Sequence, residues 1–358
     1  MKRLLSLLLI LTLSVSFTNR ANAVDFQEEL KKLAQDNAVG YVGPFATAFG
    51  TAMNSGLYHT AKPHGILGFD ISAKISLVQV NDEDLSYMFV VPGQIPIPED
   101  YFNPGSNDTL WLNGNNIWTD RETPTMFGVD TGRTLFADGA DAELIAAMQA
   151  AGYSDAEITI ARGSPQWQNA LDQIPSLETI PGTGVDMVPL ILPQVSVGLP
   201  FKTEVLVRFI PEIDAGDFGK VKFLGLGVKH SISQWIPVPL LGLDITGQYA
   251  TQKLTAGPIE SNNTAFNLQF SRRFGFMLLS LTPYAGIGME SSDIKVDYTV
   301  DDPGNPYHGQ HVAFDLEGNN TSRITAGARL QLTLITVNAD INIGEYTAYS
   351  VGVGLTLR

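Results

Sequence analysis

The sequence predicts an all-β fold: a transmembrane antiparallel β-barrel of about 12–14 strands, an even number as single-chain barrels require, with an N-terminal helical plug and a large acidic loop insertion. Three observations lead there. Apolar residues recur at every second position, segment after segment, which is the period of a strand with two unlike faces. The positions between them hold mainly Gly, Ser, Thr, Asn and Gln. The chain has 34 Gly, only 16% charged residues, and no apolar run of helix-spanning length beyond its first residues. A soluble sandwich would share the alternation, but its outer faces would carry many Lys and Glu.

Residues 1–23, "MKRLLSLLLILTLSVSFTNRANA", read as a signal peptide. Lys2 and Arg3 precede an apolar run from Leu4 to Phe17, and Ala21-Asn22-Ala23 makes a cleavage site after Ala23. Removing Lys2, Arg3 and Arg20 takes the net charge from −15 to −18, a poor match for nucleic acid or an anionic surface. The chain lacks Cys, so disulfides and thiolate metal sites are excluded.

Residues 24–62 begin with helical spacing, Phe26, Leu30, Leu33 and Ala34, and continue into a stretch of small residues between Ala38 and Ala61. Phe45, Phe49, Leu57 and Tyr58 would be costly to leave in water, about 1.5–3 kcal/mol for each large side chain. The segment leads into the first strand, so it is expected to plug a lumen.

Residues 63–358 are the barrel. Strand segments are expected near 66–80, 84–91, 188–198, 203–211, 220–232, 240–251, 263–276, 279–290, 292–300, 311–317, 322–334, 335–344 and 347–358. A break in phase between Met289 and Ile294 predicts a turn or bulge. The last segment, "AYSVGVGLTLR", is one more amphipathic strand and should close the barrel against the first. If the apolar set faces lipid, the inward set includes Asp70, Lys74, Glu204, Arg208, Asp244, Arg273, Arg323, Arg329 and Asp340. An outward Lys or Arg at mid-depth would cost about 2–4 kcal/mol, which fixes this orientation.

Residues 92–187 interrupt the rhythm. They hold 14 acids and 3 bases and one clear helix, "DAELIAAMQAAG". A block of this charge cannot cross a membrane and is expected as a loop or subdomain on one side.

"LPQVSVGLPFKTEVLVRFIPEI", "GLGVKHSISQWIPVPLLGLDITGQYA" and "YVGPFATAFGTAMNSGLYHTA" resemble a family of Gram-negative outer-membrane barrel proteins without assigned activity. The plan is similar to that of the long-chain fatty-acid channel family, in which an N-terminal plug occupies the barrel. No ligand-binding residue of that family has a counterpart here, so its substrate does not transfer. The ending Leu357-Arg358 departs from the aromatic terminus common in such barrels.

Chemistry-bearing motifs are sparse. In "KHSIS", His230 shares a face with Ile232 while Ser231 and Ser233 point the other way, so no Ser–His pair forms and no catalytic residue is assigned. His308 and His311 lack a third metal ligand, and "DTGRTLFADGADAE" lacks EF-hand spacing; no metal or cofactor is expected. The expected protein is a non-enzymatic, monomeric barrel of the cell outer membrane. Its partners would be outer-membrane lipid, the barrel-assembly machinery and a small solute, hydrophobic ones included. The alternative is a non-transporting surface or assembly barrel whose insertion binds a partner; a barrel hydrolase comes third.

Overall fold

The computed structural model describes residues 23–214, 220–236, 242–276, 278–299 and 311–357, with side chains from Gln35 onward except Tyr298 and Val312. The expected leader and His308 lie outside the described residues. The chain divides into two compact units: Val42–Glu83 with Val185 onward, and Asp84–Gly184 with the preceding helical residues up to Tyr41. Among the described residues, no helix is long and apolar enough to cross a membrane.

Helix α1 (Ala23–Asn54) contains Pro44, whose ring removes one backbone donor from its interior. Strand β1 (Phe69–Gln79) follows. The second unit then contributes three small antiparallel pairs: β2 (Ser86–Met88) with β5 (Glu122–Pro124), β3 (Gln94–Pro98) with β4 (Thr109–Asn113), and β6 (Thr134–Leu135) with β7 (Leu177–Glu178). A single helical turn at Gly114–Ile117 and three longer helices complete it: α2 (Ala140–Ala150), α3 (Asp155–Arg162) and α4 (Pro165–Leu171). Ser154 caps α3 reciprocally with Glu157, a capping box that satisfies donors at the helix start. This unit has its own apolar core, in which Leu112, Ile117, Trp118, Leu144, Met148 and Trp167 are buried. The expected acidic insertion is therefore a folded unit, and its start reaches back over residues read from sequence as a barrel strand. The segment near 84–91 pairs at Ser86–Met88 with Glu122–Pro124 and not with the barrel.

The barrel strands are β8 (Met187–Leu199), β9 (Thr203–Asp214), β10 (Lys220–Ser231), β11 (Asp244–Ala256), β12 (Ile259–Ser271), β14 (Leu279–Thr299), β16 (Ser322–Leu332), β17 (Ile335–Ile343) and β18 (Thr347–Leu357), together with β1. These ten close a ring of antiparallel neighbours in the order β1, β8, β9, β10, β11, β12, β14, β16, β17, β18 and back to β1. Two further strands, β13 (Phe274–Gly275) and β15 (His311–Glu317), pair with β14 outside the ring. The sheet thus holds 12 strands, of which ten close it. As expected, the last strand meets the first, with Phe69 opposite Leu357 and Gln79 opposite Thr347.

Burial along the strands is inside out. On β1, Asp70, Ser72, Lys74 and Ser76 are buried while Ile71, Ile75 and Leu77 are exposed. On β16, Arg323, Thr325, Arg329 and Gln331 are buried while Ile324, Leu330 and Leu332 are exposed. A water-soluble sheet puts its apolar face inward; here strand after strand does the reverse.

One expectation fails informatively. No turn or bulge breaks the chain between Met289 and Ile294: β14 runs unbroken from Leu279 to Thr299, in continuous register with β12. What changes is the polarity of its faces. Up to Met289 the outward side is apolar, and beyond it the outward residues are Ser291, Asp293 and Lys295 while Ile294 is buried. The strand leaves the apolar belt, and inverted chemistry on an unchanged backbone looks like a phase shift in sequence.

Candidate functional site: the lumen and its plug

The ring encloses residues 42–64, and 65–68 lead out of it into β1. They enter at the end carrying the β15–β16 junction, where Asn319 N donates to Thr47 Oγ1 at 3.1 Å. They leave where β1 begins, with Leu67 N donating to Gly198 O at 3.0 Å. Small residues let the segment approach the wall: Ala46, Ala48, Ala52 and Ala61 are fully buried. The wall reciprocates with glycine. A Cβ at Gly286 would overlap the Tyr58 hydroxyl, and one at Gly50 of the plug would overlap the Ser292 side chain.

The last turn of α1 lies inside the lumen, where its unpaired carbonyls need donors and the negative end of its dipole favours cations. Two wall arginines supply both. Arg208 Nη1 donates to Met53 O at 2.7 Å and its Nη2 to Ser55 O at 2.8 Å. Arg323 Nη2 donates to Thr51 O at 3.1 Å and is ion-paired with Glu290 at 2.7 Å. Gln252 Nε2 adds a second bond to Met53 O at 2.9 Å.

Past the helix, Leu57 and Tyr58 pack among wall residues Leu206, Ala250, Ala265 and Tyr284, with the Tyr58 and Tyr284 rings edge to face at 5.9 Å. Lys74 Nζ donates to His59 Nδ1 at 3.0 Å and to Asn338 Oδ1 at 2.8 Å. The other ring nitrogen of His59, Nε2, faces Asp70 at 3.6 Å. The Tyr284 hydroxyl donates to Asp340 at 2.7 Å. Nearer the exit, Glu204 accepts from both the His64 backbone N, at 2.9 Å, and its ring Nδ1, at 2.8 Å, and from Lys229 at 2.8 Å.

Of the inward residues expected from sequence, Asp70, Lys74, Glu204, Arg208, Arg323, Arg329 and Asp340 are buried on the lumen face. Asp244 is half-buried as the first residue of β11. Arg273 is a correction: it is exposed, in the connection after β12 has ended at Ser271, where strand alternation no longer applies. Among the plug residues, Leu57 and Tyr58 are buried, while Phe45 and Phe49 are half-buried and stack at 5.4 Å. Sequence reasoning missed Lys229, Glu290, His59 and His64 as lumen groups. Lys229 sits on the inward phase of "GLGVKHS", and Glu290 fell in the supposed phase break. His230 lies half-buried near a strand end, 4.8 Å from the Trp235 ring and 2.8 Å from Thr203 Oγ1. Ser231 Oγ is 3.2 Å from Ser233 Oγ instead. His311 pairs with Asp297 at 2.9 Å in an exposed position. Among the described residues, no group of three His, Cys, Asp or Glu side chains could hold a metal ion.

Fold and lumen together define a β-barrel of outer-membrane type, filled by its own N-terminal segment. The chain belongs to a family of unknown function, DUF6588, which matches residues 1–357. No functionally curated protein matches it. Among solved structures it is similar to the β domain of the Bordetella autotransporter Brka, at 14% identity and a TM-score of 0.20, over 46% of this chain and 92% of that one. That likeness carries no information about activity.

Proposed function

We propose that the protein is an outer-membrane barrel whose lumen is closed by its own residues 42–64, and that a small solute is bound or passed only when this plug shifts. The observation that carries the reading is the continuous set of plug-to-wall contacts from Thr47 to His64, on a barrel whose outward faces are apolar. A buried hydrogen-bonding group left without a partner costs about 1–3 kcal/mol, so the plug's hydrogen bonds to Arg208, Lys74 and Glu204 favour the closed arrangement. No reaction is assigned, and the lipid of the outer membrane and the barrel-assembly machinery are the partners this reading requires.

Deleting residues 25–58 tests it in planar bilayers. The shortened chain should still show a heat-modifiable band and should conduct steadily, while the intact protein stays mostly closed. Equal conductance from both folded proteins would remove the plug's gating role.

A second reading rests on the separate apolar core of Asp84–Gly184. A unit that folds around Trp118 and Trp167 and holds most of the net negative charge could be the working part, with the barrel as its anchor. A deletion variant that folds yet never conducts would favour this one.

A further inference from the structure

Strand order assigns each short connection among the described residues to one end of the barrel or the other, and the two ends differ in charge. The described connecting residues 200–202, 232–236, 242–243, 272–276, 278 and 333–334, with the plug exit 62–68, all lie where β1 begins. Together they contain Lys62, Lys202, Arg272 and Arg273 and no Asp or Glu. At the opposite end, the short connections among the described residues, 257–258, 318–321 and 344–346, contain Glu345 and no Lys or Arg.

The cationic end is also apolar. Phe201 is 84% and Phe276 88% exposed, and Leu67, Trp235 and Leu278 project as well. Phe201 and Lys202 both take left-handed backbone angles, φ 63° and 51°, in the tight β8–β9 connection. Arg272 lies over the Phe274 ring at 5.1 Å, a cation–π contact that leaves the guanidinium edge available. The four cations are exposed, and among the described residues none of them is ion-paired. Large apolar side chains on connections are costly in water, and they are continuous with the apolar belt of the strands. Aromatic rings beside unpaired cations, with no acids among them, suit the headgroup layer of a bilayer.

We propose that this end of the barrel is a binding surface for anionic phospholipid headgroups, with Lys202, Arg272 and Arg273 holding phosphate groups while Phe201, Trp235 and Phe276 enter the adjoining acyl layer. The proposal rests on the membrane reading above and adds the partner's chemistry and the barrel's orientation: the plug exit faces the phospholipid leaflet and the opposite end faces away. Each Lys or Arg near an anionic surface is worth roughly a fivefold gain in affinity.

The test uses the purified full-length protein, offered vesicles of phosphatidylcholine alone or mixed with phosphatidylglycerol. Insertion is read from heat-modifiability, and retained lipid from native mass spectrometry. The wild type should insert into both and retain phosphatidylglycerol over phosphatidylcholine by at least about tenfold, a preference that fades with added salt. K202Q/R272Q/R273Q should insert normally and lose the preference. K220Q/K222Q, at the opposite end, should keep it. Wild type that inserts without preference, or a triple variant that keeps it, overturns the proposal while leaving the membrane reading intact. Failure to insert into either vesicle overturns both. Indifference to phosphatidylglycerol with salt-sensitive retention of poly-glutamate would assign this end to an acidic protein and overturn the lipid proposal.

Discussion

Arg208, on strand β9, holds the carbonyl of Met53 at the end of the plug helix through a 2.7 Å hydrogen bond while its other terminal nitrogen holds Ser55. The side chain is fully buried and is steadied by Gln194 at 2.9 Å from Nε. Replacing it with Met removes the donors and leaves the Ser55 carbonyl dry, at a cost of about 1–3 kcal/mol, while Met53 O keeps only its bond from Gln252. Arg208→Met should lower the temperature at which the detergent-folded protein loses its compact band and should raise spontaneous openings in bilayers. Arg208→Lys should fall between the two, since an ammonium cannot reproduce the planar fork. Wild-type stability in both variants would mean that the arginine does not hold the plug.

Gly286 and Tyr58 form a second lock of a different kind. No side chain fits at Gly286 while the tyrosine hydroxyl occupies its present place. Gly286→Ala should therefore cost about 1–3 kcal/mol through overpacking. Adding Tyr58→Phe should recover part of that loss, because the atom that collides is gone. A double mutant no better than Gly286→Ala in thermal melting would show that the plug does not pass this point of the wall.

The acidic unit has its own pH signature. The Ser106 and Tyr153 hydroxyls both donate to Glu99, and these bonds hold its carboxyl below the usual range, while the Tyr153 hydroxyl is pushed up to about 12 by burial and by Glu99. A depressed carboxylate stabilises the fold above its unfolded pKa and loses that contribution as pH falls through the folded value. Hydrogen-exchange protection around residues 99–106 in the intact protein should hold at neutral pH and fall in acid, below the normal carboxylate range. Glu99→Gln should show reduced protection at neutral pH and a flatter pH response. Protection that is unchanged in acid would contradict the role given to Glu99.

The barrel was legible because its alternation is governed by one rule along most strands, as Ile71, Ala73 and Ile75 opposite Asp70, Ser72 and Lys74 illustrate. The rule stops working where the surroundings change. Beyond Met289, strand β14 leaves the apolar belt and its faces exchange character, which hid Glu290 and suggested a break that the backbone lacks. Ser86–Met88 has a strand's local pattern, but its partner, Glu122–Pro124, is a long-range choice that no local period encodes. Arg273 seemed inward only because alternation was extended past the end of β12. The plug's composition was legible, whereas its contacts were not: His59 and His64 meet Lys74 and Glu204 through pairings set by how the chain threads the ring.

The central claim is that polar strand faces line an occupied lumen and apolar faces meet lipid, and neighbouring residues Gln331 and Leu332 test it most directly. Gln331 is 8% exposed and faces the lumen, while Leu332 is 56% exposed on the outer side. A carboxylate in place of Gln331 meets a polar interior, whereas one in place of Leu332 meets acyl chains. Folding yield into phospholipid vesicles, read from the heat-modifiable band, should stay near wild type for Gln331→Asp and fall severalfold for Leu332→Asp. Equal yields from the two variants, or a larger loss at Gln331, would contradict the inside-out barrel.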